Sequence, residues 1–362
     1  MEFALIRRLQ IAFQPPRYLA PPATGIEISL SGIKAVRLDA TPQGIILAAY
    51  TETKLPPGAY LDGDITDHSL VATAIAEAAH QIGVQGGSVS LAESKSYLFE
   101  TEAQGRTKEE LRTVVEQRLD ELVPLPPVDT VFDIVATGTS KAGEPQVAGV
   151  GFARRIVDET LAAFDEAGVS VRSLEGETFA MARALLPKGD ESTVLIIDLG
   201  KTTTKVAIVA SGIPRFATTI NIGGHALTLA VQKHFGVTED EARRVKVEKG
   251  IVSSPGNEDY IAAMLSTVSA IKDEILQRFT YWQSKAALGG AHQPITRALL
   301  VGGNASVRGL TEYLEGALRV PVSTGDVFTN FASRDAYLPP LPHAESLAFA
   351  TPIGLALRDY VY

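Results

Sequence analysis

Cysteine is absent from the 362 residues. That rules out a disulfide framework and a thiolate zinc site, and it fits the cytoplasm. Long apolar runs are missing too: none reaches the roughly 18 residues that a membrane-spanning helix needs. There is no long basic block, and the formal net charge is −9, which argues against nucleic acid as a main partner. The six histidines show no His-x-x-x-His and no His/Glu metal spacing. Neither a Gly-x-Ser-x-Gly elbow nor a Gly-x-x-x-x-Gly-Lys-Ser/Thr loop occurs, which disfavours hydrolase-triad and Walker-type chemistry.

What is present is an internal echo. Gly25-Ile26-Glu27-Ile28-Ser29-Leu30-Ser31-Gly32-Ile33-Lys34-Ala35-Val36 is repeated in kind by Ile196-Ile197-Asp198-Leu199-Gly200-Lys201-Thr202-Thr203-Thr204-Lys205-Val206-Ala207, at an offset of 171 residues. Each copy reads as apolar strand, acidic residue, tight turn with Ser or Thr, then apolar strand. Two facing hairpins of this kind make a phosphate clamp. Turn N–H groups and hydroxyls hold phosphate oxygens, and a carboxylate at each strand end holds Mg²⁺ through water. Two ordinary hairpins with polar turns would also have this pattern; the matched pair favours a nucleotide site.

An apolar content of 45% with 21% charged residues is enough for two core-bearing domains. The segment before Pro15-Pro16 carries Phe3, Leu5, Ile6, Leu9 and Phe13 at helical spacing. It reads either as a self-packed helix or as a surface that docks onto a partner or membrane. Asp67 to Gly83 reads as a capped helix. Ser88 to Thr101 is strand-like, and Thr107 with Glu110 is a capping box. Strands follow at 128–136 and 146–152, then a helix at 154–167 and a strand at 169–174. The order strand–helix–strand–strand–helix–strand over 88–172 predicts one inserted α/β subdomain. In the second half, helices are expected through Val231, over 237–249 and over 260–285. A strand over 295–301 then runs into Gly302-Gly303-Asn304, and helices are expected from about Leu310 and over 350–358. Two halves, each with a hairpin and an insertion, predict a cleft between two lobes.

The candidate chemistry sits at the hairpins. Glu27 and Asp198 are expected to emerge at strand ends and to hold a cation, unless they are merely exposed turn acids. A cation between them would offset the several kcal/mol that burying unpaired carboxylates costs, to order of magnitude. Ser29, Leu30 and Ser31 in one turn, and Gly200, Lys201, Thr202 and Thr203 in the other, are the phosphate-holding candidates. Lys34 and Lys205, in the second strand of each hairpin, are expected to face solvent. Gly302, Gly303 and Asn304, like Gly223 and Gly224, let backbone approach a base or phosphate, though Gly-Gly pairs also serve as plain turns. Lys246 either reaches a ribose or is solvated. Glu175 and Glu177 either orient a water near a γ-phosphate or simply favour a helix N-terminus.

In order, these motifs resemble the actin-like ATPase superfamily. Gly25–Lys34 is similar to its phosphate-1 motif and Ile196–Thr204 to phosphate-2. Leu299–Ser306 is similar to the adenosine motif, and Glu175–Leu186 and Thr351–Leu357 to the two connecting helices. Within it the chain resembles the PilM family of type IV pilus assembly. Leu122-Val123-Pro124-Leu125-Pro126-Pro127-Val128-Asp129-Thr130-Val131-Phe132-Asp133 is similar to that family's Ile-Pro-Phe-Pro stretch and following strand. The resemblance implies an α/β, actin-like two-lobed ATPase fold of duplicated RNase H-like domains with an inserted 1C-type subdomain. It divides the chain into an N-terminal segment 1–21, subdomain 1A (22–87, 173–190, 346–362), 1C (88–172), 2A (191–222, 296–345) and 2B (223–295).

The same resemblance implies ATP with Mg²⁺ in the cleft and at most a slow Mg-dependent ATPase. It also implies docking of the N-terminal tail of a PilN-like membrane protein on 1A and 1C. The chain would then sit in the cytoplasm at the inner face of the inner membrane, with pilus motor ATPases and self-association as further expectations. In departure from the superfamily pattern, Glu27 replaces an Asp, and Thr178 a Pro. Arg243 and Arg244 stand where a Glu commonly holds the ribose; two guanidinium groups there could stack on adenine. A division-type tether similar to FtsA would end in an amphipathic membrane helix, whereas Tyr362 directly follows the last expected core helix. A GspL-like secretion adaptor would continue into a membrane span. A small-molecule kinase of the superfamily would need a catalytic Asp beside the γ-phosphate.

Overall fold

The computed structural model describes residues 22–139, 143–288 and 292–361; the helix expected before Pro15 lies outside them. Strands β1 (Ala23–Ser29), β2 (Gly32–Thr41) and β3 (Gly44–Thr53) form an antiparallel meander. A small hairpin of β4 (Tyr60–Leu61) and β5 (Asp64–Ile65) leads to helix α1 (His68–Ile82) and strand β6 (Gly86–Leu91). Then come β7 (Ser96–Glu102), α2 (Lys108–Glu116), α3 (Leu119–Leu122), β8 (Thr130–Thr139), β9 (Pro145–Ala153), α4 (Arg154–Glu166) and β10 (Ser170–Gly176). Helix α5 (Glu177–Leu185) crosses to the second meander of β11 (Thr193–Leu199), β12 (Thr204–Ala210) and β13 (Ile213–Ile220). Helices α6 (Gly224–Phe235), α7 (Glu239–Lys249) and α8 (Glu258–Ala287) follow. The chain closes with β14 (Arg297–Val301), α9 (Leu310–Leu318), β15 (Val322–Thr324), α10 (His343–Ser346) and α11 (Ala350–Val361).

The sequence echo is an architectural one. The first large sheet runs β3–β2–β1–β6–β10 and the second β13–β12–β11–β14–β15. In each, the meander is antiparallel, and the next strand pairs parallel to the first strand of the meander. In the second sheet the parallel central strands β11 and β14 are nearly all apolar, as expected for strands covered on both faces. In β11, Val194, Leu195, Ile196 and Ile197 are all buried.

Local signals act as the residue types dictate. Asp67 accepts a hydrogen bond from the Leu70 N–H at 3.0 Å, capping α1. Thr107 and Glu110 form the reciprocal capping box of α2.

The inserted unit is smaller than the expected 88–172. Strands β6 and β10 belong to the first large sheet, and α4 packs Ala163 and Phe164 into the same core as Ile75 and Ala78 of α1. The strand-like stretch Ser88–Thr101 is two strands, parted by a helical turn at Glu93–Lys95. Only 96–153 stands apart, as the sheet β7–β9–β8 over α2 with a separate core that includes Phe99, Leu111, Val115, Phe132 and Ile134. Chain order could not reveal this, because the partner of β6 is β1, some sixty residues away, and parallel pairing is non-local.

Candidate functional site

The two hairpin turns open onto one cleft of about 270 Å³. Glu27, Asp198 and Glu177 line it, as do both turns, the loop Gly302–Asn304 and the segment around Leu347–Thr351. Each carboxylate lies one residue before the end of its strand's apolar run, so hairpin register decides what faces it. Glu27 pairs across the ladder with Lys34, and Asp198 with Lys205. Directly opposed residues of an antiparallel pair share a face. Both lysines therefore point into the cleft, which corrects the expectation of solvent exposure. Lys34 is only 8% exposed.

Lys205 is the hub of the charge network. Its Nζ lies 2.8 Å from Glu177 Oε2 and 3.4 Å from Asp198 Oδ2. Burial alone would lower its pKa, but Glu177, Asp198 and Glu27 outweigh that and hold the ammonium well above its ordinary value. Glu177 Oε2 also accepts the Glu93 N–H at 2.9 Å, and Glu93 Oε2 accepts the Thr178 N–H at 3.1 Å. These reciprocal bonds tie the β6–β7 turn to the start of α5. Burial raises the Glu93 carboxyl above its usual range.

Glu27 is the strained member. Burial pushes its pKa from 4.5 up to about 7, against the attraction of Lys34 and Lys205. Its Oε2 has no hydrogen-bond partner among the described residues. In the folded state Glu27 keeps a proton that the unfolded chain has already released between these two pH values. Native stability is therefore expected to fall as pH rises through that window, by up to about 3 kcal/mol. Glu27→Gln removes the slope: the variant should match wild type near pH 4.5 and exceed it at pH 8. Urea denaturation of both proteins at the two pH values checks this; parallel pH profiles would refute it.

Ser29, Leu30, Ser31, Gly200, Lys201, Thr202, Thr203, Gly302, Gly303 and Asn304 all line the cleft. The Ser29 hydroxyl bridges Ser31 Oγ and Gly32 O, both at 3.0 Å, and so stiffens its own turn. Gly302 has φ +91°, and a Cβ there would lie 2.3 Å from Asp198 Oδ1; only glycine leaves that carboxylate its place.

Gly223, Gly224 and Lys246 stand behind the second turn. Gly224 N–H donates to Gly200 O at 2.9 Å and His225 N–H to Lys201 O at 2.7 Å. Asn304 Nδ2 donates to Gly200 O at 2.9 Å, and its Oδ1 accepts from Lys246 Nζ at 2.6 Å. These groups brace the turn rather than face the cleft. Burial lowers the Lys246 pKa to about 8, with nearby Arg243 adding to the shift. Arg243 itself pairs with Glu239. Glu175 is turned out of the cleft and pairs with Arg183, Oε2 to Nη1 at 2.9 Å. Among the described residues no group of three His, Asp or Glu side chains converges as a metal site. The unpartnered Glu27 oxygen and the Asp198 carboxylate could still hold a hydrated cation between them, and the hydroxyl-bearing turns could hold a polyphosphate.

The sequence family described as type IV pilus assembly protein PilM matches residues 25–360. The chain belongs to that family. The solved PilM–PilN type IV pilus biogenesis complex has a TM-score of 0.74 at 21% identity, covering 92% of this chain and 97% of that one. MreB5 of Spiroplasma citri bound to ADP has a TM-score of 0.51 at 14% identity, covering 92% and 95%. These likenesses show the actin-like two-lobed fold. Among curated proteins, cell division protein FtsA of Neisseria meningitidis serogroup B is 25% identical over 166 residues, 41% of this chain and 40% of that protein. FtsA of Borreliella burgdorferi is 27% identical over 178 residues, 44% and 43%. The chain thus spans about two fifths of the length of the curated relatives it matches.

In this PilM-family chain the cleft residues that motif reading missed include Lys34, Lys205, Glu93 and Tyr60. For the lysines the signal was available. Once Glu27 and Asp198 are placed in the cleft, a tight hairpin turn fixes the opposed residue seven positions on. Glu93, from the helical turn after β6, and Tyr60, from the small hairpin at β4, leave no local trace.

Proposed function

We propose that this chain is an ATP-binding scaffold of type IV pilus assembly. The observation that carries the reading is the pair of equivalent hairpins facing one cleft, each bringing a carboxylate to a strand end and hydroxyls to its turn. Ser31, Thr202 and Thr203 would hold the phosphates, with Glu27 and Asp198 facing any Mg²⁺ that accompanies the nucleotide. Bound Mg²⁺ would supply charge neutralisation of the phosphates. Glu177, the carboxylate nearest a water-orienting role, is occupied by Lys205 and by the Glu93 N–H. That supports binding with at most slow hydrolysis.

The partner would be the N-terminal tail of a PilN-like membrane protein, seated on the first lobe and the inserted unit. The likeness to the PilM–PilN complex supports this. Among the described residues no helix is long and apolar enough to cross a membrane, so membrane association would come through that partner, at the inner face of the inner membrane. Lobe closure on nucleotide would change tail affinity; a coupling of about 1–3 kcal/mol is ordinary.

Calorimetric titration with Mg-ATP tests the site. Gly303 lines the cleft, and a Cβ there meets nothing nearer than Ala348 at 3.9 Å. Gly303→Trp should therefore fold, fill the cleft and weaken Mg-ATP binding at least a hundredfold. Unchanged affinity in that variant, or no binding by wild type, would sink the nucleotide reading. A tail peptide titrated with and without ATP then measures the coupling.

A further inference from the structure

Lys205 has no role in the reading above beyond occupying Glu177. Its position is nevertheless fixed from two sides of the cleft. Hairpin register sets it opposite Asp198, and Glu177 approaches it from the start of α5, an element of different origin. We infer that the Lys205 ammonium is a built-in cation of the nucleotide cleft, which lets this chain bind ATP without Mg²⁺. The inference rests on the nucleotide reading of the same site.

A metal held through a strand-end carboxylate needs that carboxylate's open edge. Here Asp198 Oδ2 already has the ammonium at 3.4 Å, and Glu177 Oε2 holds the same ammonium at 2.8 Å. A divalent cation entering between these groups meets a fixed like charge in a desolvated place, where repulsion is poorly screened. The ammonium is itself suited to phosphate: it carries three donors on a flexible stem. Two carboxylates hold it in place, and it lines the same cleft as Thr202 and Thr203. The equivalent lysine of the first hairpin, Lys34, makes no ion pair within 4 Å among the described residues. The two hairpins are therefore alike in sequence and unlike in contact: among the described residues only the second brings its own strand's lysine within 4 Å of its acid.

The test compares ATP titrations in EDTA and in excess Mg²⁺, followed by calorimetry, with Mn²⁺ binding to the nucleotide-free protein read by electron paramagnetic resonance. Wild type is expected to bind ATP with dissociation constants within threefold of each other in the two buffers, and to hold no Mn²⁺ tightly. Lys205→Met is expected to lose at least tenfold in EDTA, to recover in Mg²⁺ and to gain a Mn²⁺ site. Wild type that binds Mg-ATP but loses at least tenfold in EDTA overturns the inference and leaves the nucleotide reading standing. A Met variant that binds metal-free ATP as tightly as wild type also overturns it. Absence of ATP binding in both buffers overturns the inference and the nucleotide reading together. The wild-type titrations decide the metal question even if the Met variant does not fold.

Discussion

Gly354→Ala is expected to lower the free energy of unfolding by about 3 kcal/mol or more. Helices α5 and α11 cross at this residue, and a Cβ there would lie 1.8 Å from Ala180 O and 2.4 Å from Ala180 C. The obstacle is backbone, so no rotamer change relieves it; the helices must move apart. Movement is resisted on the other side of α11, where a Cβ on Gly25 of β1 would lie 2.0 Å from Pro352 O. The helix is held between two backbones at near-contact distance. Gly316→Ala supplies the control. Gly316 lies inside α9 with nothing within 4 Å of its would-be Cβ, so alanine there should stabilise by roughly 0.5–1 kcal/mol through helix propensity. Urea denaturation of the two variants should thus move in opposite directions. A Gly354→Ala midpoint within error of wild type would show that the two helices separate at little cost and overturn the prediction. Because α5 and α11 connect the lobes, the same variant should also blunt any nucleotide response.

Sequence and structure agree where the determining interaction is local, and part where it is not. The hairpins, the cap at Asp67, the box at Thr107 and Glu110 and the long helix α8 all follow from residues within a turn or two of one another. The paired hairpins that meet at the cleft were legible for that reason, aided by the 171-residue echo. The bounds of the insertion were not, since β6 reads as a strand whichever sheet it joins. The orientation of Lys34 and Lys205 was implicit in the register and went unread, because lysine on a strand is ordinarily a solvent residue. Glu175 and Glu177 illustrate the limit. They are two residues apart at a strand-to-helix junction, and a small change of backbone direction sends one into the cleft and the other to Arg183. No spacing rule distinguishes them; Arg183, two turns along α5, takes one, and Lys205, brought in from β12 of the second sheet, takes the other.

That division of roles makes Arg183→Ala the second large expected effect. The guanidinium is 7% exposed and grips Glu175 with both terminal nitrogens, while Nη1 also donates to Gly354 O at 2.8 Å. It therefore joins β10, α5 and α11 at the helix crossing itself. Removing it leaves the Glu175 carboxylate, 12% exposed, with only Arg358 Nη1 at 3.9 Å as an ion-pair partner among the described residues, and leaves a buried carbonyl without that donor. Breaking a buried pair from one side costs about 3–5 kcal/mol, whereas exchanging both partners for apolar groups of similar volume is often neutral. Arg183→Ala should therefore destabilise by roughly that amount, and Arg183→Met with Glu175→Leu should recover most of it. Thermal and urea denaturation of the single and double variants forms the test. A double variant as unstable as Arg183→Ala would show that the carbonyl contact, rather than the stranded carboxylate, dominates. Nucleotide affinity separates the two glutamates in the same proteins. The double variant, once folded, should bind ATP as wild type does, because Glu175 lies outside the cleft. Glu177→Leu should not, because it removes the strongest partner of Lys205. An affinity loss of tenfold or more in the recovered double variant would return Glu175 to the site.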